Sequence, residues 1–330
     1  MKPAVFRTRS VISGIIGLGI AGFLLTVWLN RGPAYEGKSA SYWTRQLARD
    51  RSKAQRALRE LGPAAVPALI SAVNSKDSWW HNVGNRLRPK LPKFAARHLP
   101  NPIEADMIRE GAVRMLYDLG TNAAPAVPAL IRAGGDTSGG IFSSTSLGHA
   151  TLLNIGEAGV SQLIKVLKRG EPTDRAKAAR YLGLIGPKAG GAASALGKAL
   201  NDPRPAVRQE AVNALWRIGP AARAALPQLK AALQYDDDYF RLQVAHALWE
   251  VGRDAEVTMP ILIKVLTNTK NPNRAKAAMI LAEMGPAGRA AAPALTNVLL
   301  EDFSYVRVKA EEALRGIGVR AQSGASTTLR

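Results

Sequence analysis

Apolar and polar positions along this chain follow one rule, counted backward from a glycine. Four blocks carry it most clearly: RQEAVNALWRIG (208–219), RLQVAHALWEVG (241–252), RAKAAMILAEMG (274–285) and RVKAEEALRGIG (307–318). Gly186, Gly219, Gly252, Gly285 and Gly318 are each 33 residues apart, and Gly62, Gly120 and Gly156 extend the series backward. Four residues before each glycine stands a leucine: Leu58, Leu116, Leu152, Leu182, Leu215, Leu248, Leu281 or Leu314. Eight before stands Ala54, Ala112, Gly148, Ala178, Ala211, Val244, Ala277 or Ala310, and one before stands another aliphatic residue or Met284. Steps of four and three put these on one face of a helix of about three turns. The glycine is expected to stop that helix as a C′ residue in the left-handed region. Proline recurs eight residues after the glycine, at Pro128, Pro227, Pro260 and Pro293. Inside a helix proline is tolerated only in the first turn, so it marks the start of a second helix. Each unit is therefore a pair of short antiparallel helices.

Self-similarity of this period predicts an all-α solenoid, in which each unit buries its apolar face against its neighbours. The ankyrin T-P-L-H signature and the tetratricopeptide aromatic pattern are absent. The blocks R-x-x-A-x-x-A-L-x-x-[IV]-G and G-P-x-x-x-x-x-P-x-L, over about residues 50–318 and strongest from 170, resemble the HEAT-like family, in particular its short PBS-lyase-like type. The resemblance implies an α-solenoid of roughly seven to eight HEAT-like hairpins with the second helices lining a concave face. It does not choose among scaffolds, adaptors, lyases and DNA-repair enzymes. The expected organisation is a basic tail (1–10), an apolar segment (11–29), a linker (30–40), the solenoid (41–318) with an insertion at 75–105, and a disordered tail (319–330). Ser41 is the expected cap of the first helix.

Residues 11–29 read VISGIIGLGIAGFLLTVWL, 19 residues without a charge. That is close to the ~20 needed to span hydrocarbon. Lys2, Arg7 and Arg9 precede it and Trp28 sits at its far edge, so the expectation is an uncleaved transmembrane signal anchor that places the solenoid on the extracytoplasmic side. The alternative is a secretory signal cleaved near Gly32-Pro33-Ala34, where proline fits poorly.

The formal net charge is +20, and there is no cysteine. Disulfides, thiolate metal sites and cysteine nucleophiles are thus excluded. A field of that sign attracts anions, or serves solubility alone. The four histidines, His81, His98, His149 and His246, show no metal-ligand spacing, and no P-loop, G-x-S-x-G or HExxH motif is present. No catalytic residue, metal, cofactor or small-molecule substrate is expected. Trp216 and Trp249 occupy the same repeat position, which reads as packing.

Three sets of residues remain. Arg51, Arg109, Arg175, Arg208, Arg241, Arg274 and Arg307 stand eleven residues before their glycines. They form a structural ladder, pairing with acids or carbonyls of adjacent turns; Asp202, Asp238 and Asp302 are the expected partners of Arg208, Arg241 and Arg307. Arg132, Lys165, Lys198 and Lys264 fall at one position of the second helices, opposite the core leucines. They predict a basic stripe along the concave groove, with Lys168, Arg223 and Lys230 near it, or else an ordinary solvated face. The insertion carries six cations against two acids, among them Arg86, Arg88, Lys90 and Lys93, interleaved with Trp79 and Trp80. It is either a binding element or a seal on the end of the core. The function these sets suggest is a membrane-anchored scaffold that binds an acidic or extended protein segment without catalysis. Nucleic-acid binding and, less strongly, PBS-lyase-like catalysis are the alternatives.

Overall fold

In the computed structural model the glycine-ended blocks are helices, and the structure describes residues 33–74, 92, 102–133, 147–301 and 305–319. Two compact units divide the chain between Asn154 and Ile155. The first opens with a two-residue antiparallel pair, β1 (Ala34–Tyr35) and β2 (Lys38–Ser39). It continues through α1 (Ala40–Gln46), α2 (Arg51–Leu61), α3 (Val66–Val73), α4 (Pro102–Leu119), α5 (Val127–Ala133) and α6 (Leu147–Ile155). Helix α1 begins two residues earlier than a Ser41 cap would place it, because Ser39, not Ser41, is the cap: its Oγ accepts from the Tyr42 amide at 3.4 Å. The indole N–H of buried Trp43 donates to the Tyr35 carbonyl at 3.1 Å and ties the β pair to α1.

The second unit contains α7 (Val160–Arg169), α8 (Pro172–Ile185), α9 (Ala193–Ala199), α10 (Pro205–Ile218), α11 (Leu226–Ala232), α12 (Asp238–Gly252), α13 (Ala255–Thr267), α14 (Arg274–Met284), α15 (Ala292–Glu301) and α16 (Tyr305–Gly316). First helices stack on first helices, in the order α8, α10, α12, α14, α16. Second helices α7, α9 and α11 follow one another in the same way, as do α13 and α15. The result is an all-α helical repeat. Its core is the stripe read from the sequence: Leu182, Leu215, Leu248, Leu281 and Leu314 are all at most 1% exposed, as are Ala178, Ala211, Val244, Ala277 and Ala310. The position next to the glycine is less uniform, since Leu61, Leu119 and Ile185 are only half-buried.

Two features of the connections depart from expectation. A 3-10 turn separates most helix pairs, as in Gly186–Ala192, Gly219–Ala225 and Gly285–Ala291, and the second helix starts one residue before its proline. The glycines also lie outside the left-handed helical well: Gly219 has φ 63° and ψ −138°, and Gly285 has φ 57° and ψ −139°. An L side chain is nearly forbidden there, so only glycine closes these helices without strain. Gly252 is the exception. It remains inside α12, and Arg253 turns the chain at φ 54° and ψ 33°, the left-handed well open to non-glycine residues. No proline follows Gly252. Asp254 caps α13 instead, accepting from the Val257 amide at 3.2 Å, and Pro260 lies within that helix.

The expected membrane topology is corrected: among the described residues no helix is long and apolar enough to cross a membrane. The apolar segment 11–29 itself lies outside the described residues, as do 75–91, 93–101 and the tail beyond Val319.

The glycine requirement is testable at Gly219. A Cβ there would meet no atom within 4 Å, so any penalty is that of the backbone alone. Gly219→Ala is expected to cost about 1–3 kcal/mol in chemical denaturation. Gly191→Ala, whose Cβ would also meet nothing but whose φ is ordinary, is expected to be neutral or slightly stabilising.

Candidate functional site

Helices α7, α9, α11 and α13 of the second unit carry Lys165, Lys168, Arg169, Lys198, Lys230 and Lys264, all exposed, against one acid, Glu256. All but Lys165 stand in the last turn of their helices. There the positive charge also complements the carbonyl end of the helix dipole, an effect of about 0.3–1 kcal/mol each. Only Lys230 forms an ion pair among the described residues, with Asp254 at 2.8 Å. The hydrogen bond from Lys230 holds the Asp254 carboxyl below its ordinary range, against partial burial. Arg223 is exposed in the preceding 3-10 turn. Arg132 belongs to the first unit, at the end of α5, where its guanidinium reaches the Asn74 side chain at 3.4 Å. No aromatic residue occurs on α7, α9, α11 or α13. Trp79, Trp80, Arg86, Arg88, Lys90 and Lys93 of the insertion lie outside the described residues.

The arginines before the glycines are engaged at the starts of the first helices. Arg175 grips Asp202 through two bonds of 2.8 and 2.9 Å and donates to the Gly170 carbonyl at 3.0 Å. Asp202 thus serves the arginine of the preceding repeat. Arg208 takes the Asp202 carbonyl instead, at 2.9 Å, and lies over the Tyr235 ring. Arg241 pairs with Asp238, and buried Arg274 donates to the Leu266 carbonyl at 2.8 Å. Arg307 meets Glu311 at 3.5 Å; Asp302 lies outside the described residues. In the first unit Arg51 pairs with Glu110 and Arg109 with Asp106, at 3.2 and 3.0 Å.

A further cluster escaped the sequence reading. On the first-helix face, His246 and Glu250 stand one turn apart on α12, and Glu283 comes from α14. His246 Nε2 lies 2.6 Å from Glu283 Oε2 and accepts from the Trp216 indole N–H at 3.1 Å. Burial pushes the imidazole below its ordinary pKa, against the opposing pull of Glu283. Trp216, Arg217, Glu250 and Glu283 line an open cavity of about 500 Å³. The two tryptophans in one register therefore differ: Trp249 is 6% exposed and belongs to the core, whereas Trp216 is 37% exposed at this cavity. The signal was available in the repeat ruler, because Glu250 and Glu283 are 33 residues apart at the same repeat position, and His246 to Glu250 is one helical turn.

Residues 160–249 and 226–315 match the family model for HEAT repeats. The second unit is built of HEAT-like repeats. The matched spans run from α7 to α12 and from α11 to α16, so consecutive HEAT-like hairpins account for the whole of both. Two crystal structures of engineered proteins from the Northeast Structural Genomics Consortium are similar to the chain. One has 20% identity and a TM-score of 0.39, covering 76% of this chain and 96% of the other. The second has 19% identity and a TM-score of 0.41, covering 83% and 94%. No curated protein matches.

The Arg175–Asp202 pair sets an expectation for pH. Burial raises the Asp202 carboxyl, but the hydrogen bonds from Arg175 and the Arg204 amide and the charges of Arg175 and Arg208 outweigh it, so its folded pKa lies below the ordinary value. Such a group stabilises fully above the unfolded carboxylate value of about 3.9 and loses that contribution as pH falls through the folded value. Asp202→Asn is expected to cost about 1.5–3 kcal/mol at pH 7. In denaturant titrations, the gap between wild type and variant should close as pH drops below about 4.

Proposed function

We propose that this chain is a non-enzymatic binding scaffold whose second-helix face, taken as the inner groove of the HEAT-like array, holds an acidic, extended segment of a partner protein. One observation carries the reading: four consecutive second helices carry cations almost without acids, whereas the first helices carry both signs. Six cations face outward on α7, α9, α11 and α13, and one of them is paired. The acids of the same unit are mostly on first helices and connecting turns, where they meet cations such as Arg175, Arg241, Arg253 and Lys309. A row of unpaired cations on adjacent rigid helices attracts an extended polyanion and fixes its direction, while leaving few intramolecular pairs to break on binding. Lys165, Lys198 and Lys264 are the central contacts in this reading, with Arg132 and the insertion residues Trp79, Trp80, Arg86, Arg88, Lys90 and Lys93 as further candidates.

Nucleic acid would use the same charges. Single strands, however, are held by aromatic side chains on which bases stack, and helices α7, α9, α11 and α13 have none. A protein segment is thus the better fit for this face.

The test is fluorescence anisotropy of a labelled oligo-glutamate peptide with the full chain. Saturable binding is expected at ~50 mM salt, weakening steeply as salt is added. The triple variant Lys165→Glu, Lys198→Glu, Lys264→Glu should bind at least about tenfold more weakly with an unchanged helical circular dichroism spectrum. Absence of binding at low salt, or equal binding by the triple variant, would overturn the proposal. Tighter binding of an unstructured oligonucleotide than of the peptide would replace it with the nucleic-acid reading.

A further inference from the structure

The His246 cluster is unlike the rest of the first-helix face. As elsewhere in the second unit, an acid here has a cation beside it: Glu250 has Arg253, as Glu311 has Arg307 and Glu312 has Lys309. Here, however, two carboxylates and an imidazole converge, and one potential ligand atom from each lies within 4.8 Å of the others. The arrangement is built by rigid elements. An i, i+4 spacing sets His246 and Glu250 on one face of α12, and the packing of α14 beside it brings Glu283 across from the next repeat.

Two groups compete for His246 Nε2. Nε2 faces both the Trp216 N–H and the Glu283 carboxylate. A nitrogen that keeps its lone pair accepts from the indole but then meets a carboxylate as another acceptor. A nitrogen that carries a proton serves the carboxylate but then points at an N–H. A cation at this point takes the lone pair and satisfies both carboxylates. The indole N–H of Trp216, 37% exposed, can then turn to water.

We propose that His246, Glu250 and Glu283 bind one divalent transition cation of the zinc class, with its remaining coordination position open to the cavity of about 500 Å³ beside them. One imidazole and two carboxylates are a complete three-residue protein set for such an ion, and the imidazole disfavours magnesium and calcium, which take oxygen ligands. Tetrahedral ligands about 2.0–2.2 Å from zinc stand roughly 3.4 Å apart. Small rotations of Glu283, whose side chain is 47% exposed, and of Glu250 close the site to that size. Glu250 must give up Arg253, a partly exposed contact of 3.2 Å. Arg217 lines the cavity beside Trp216, so an anion that fills the open position would meet a second positive charge there.

The experiment is isothermal titration of the chelator-treated full chain with zinc, nickel and magnesium chlorides. One-to-one saturable binding of zinc or nickel, with no heat from magnesium, is expected. Glu283→Gln and His246→Gln should each weaken zinc at least about tenfold, and His149→Gln should leave it unchanged. Should His246→Gln fail to fold, Glu283→Gln carries the test, because that side chain is half exposed. Absence of saturable zinc or nickel binding up to ~1 mM would overturn the proposal. So would an unchanged isotherm for Glu283→Gln, or an equal loss in His149→Gln. The outcome is independent of whether the second-helix face binds an acidic peptide.

Discussion

Leu182, Leu215, Leu248 and Leu281 are fully buried, and so are the small residues four positions before each of them. A single two-helix hairpin is too thin to enclose such a stripe; the next hairpin must cover it. The small residues set the spacing. Gly183 lies in α8 with its added Cβ only 2.8 Å from the Ala214 backbone of α10, so these first helices pack at near-backbone distance. Each hairpin is consequently committed to its neighbour, and the polar groups between them are fixed by where the helices end.

That commitment explains the charge pattern. At the start of each first helix a chain turn arrives from the preceding second helix, bringing carbonyl groups and, in places, an aspartate. The arginines at this position answer them: Arg175 takes Asp202, Arg208 takes two carbonyls, and Arg274 takes Leu266. The stacking junctions thereby engage these arginines with Asp202 and with backbone carbonyls. The second helices need no such partner, since their cations stand near free carbonyl ends and in water. The second helices of the second unit are left with six cations against two acids, Glu256 and Glu301. The basic stripe follows from how the repeats stack, and a binding role would exploit a surface that folding already provides.

The helical repeat and its core were legible because both follow from spacing. The leucine at minus four and the small residue at minus eight sit where the ruler puts them. The position before the glycine was less legible: whether Leu61 or Ile218 is covered depends on a neighbour that a single period does not describe. Asp202 was assigned to Arg208 by closeness in sequence, yet a carboxylate held at the junction is nearer to the arginine of the previous repeat. Arg253 replaces Gly252 at the turn in the left-handed conformation open to non-glycine residues, and periodicity is blind to that exchange. The His246 cluster was hidden for a related reason. Its members are spread over 38 residues of chain and share a face only once the 33-residue period is used to fold them together.

The repeat itself shows that this cluster is singular. Trp216 donates to His246, thirty residues further along. Thirty residues beyond Trp249 stands Met279, with no comparable acceptor, and the enclosed indole N–H of Trp249 has no partner among the described residues. An unpaired buried donor of this kind costs about 1–3 kcal/mol. If the histidine served only to satisfy a tryptophan, the second tryptophan would have the same need and the same solution. Instead the imidazole appears once, at the repeat where Glu250 and Glu283 also converge. That coincidence, rather than any one of the three residues, distinguishes a built site from the ordinary polar decoration of a helical array.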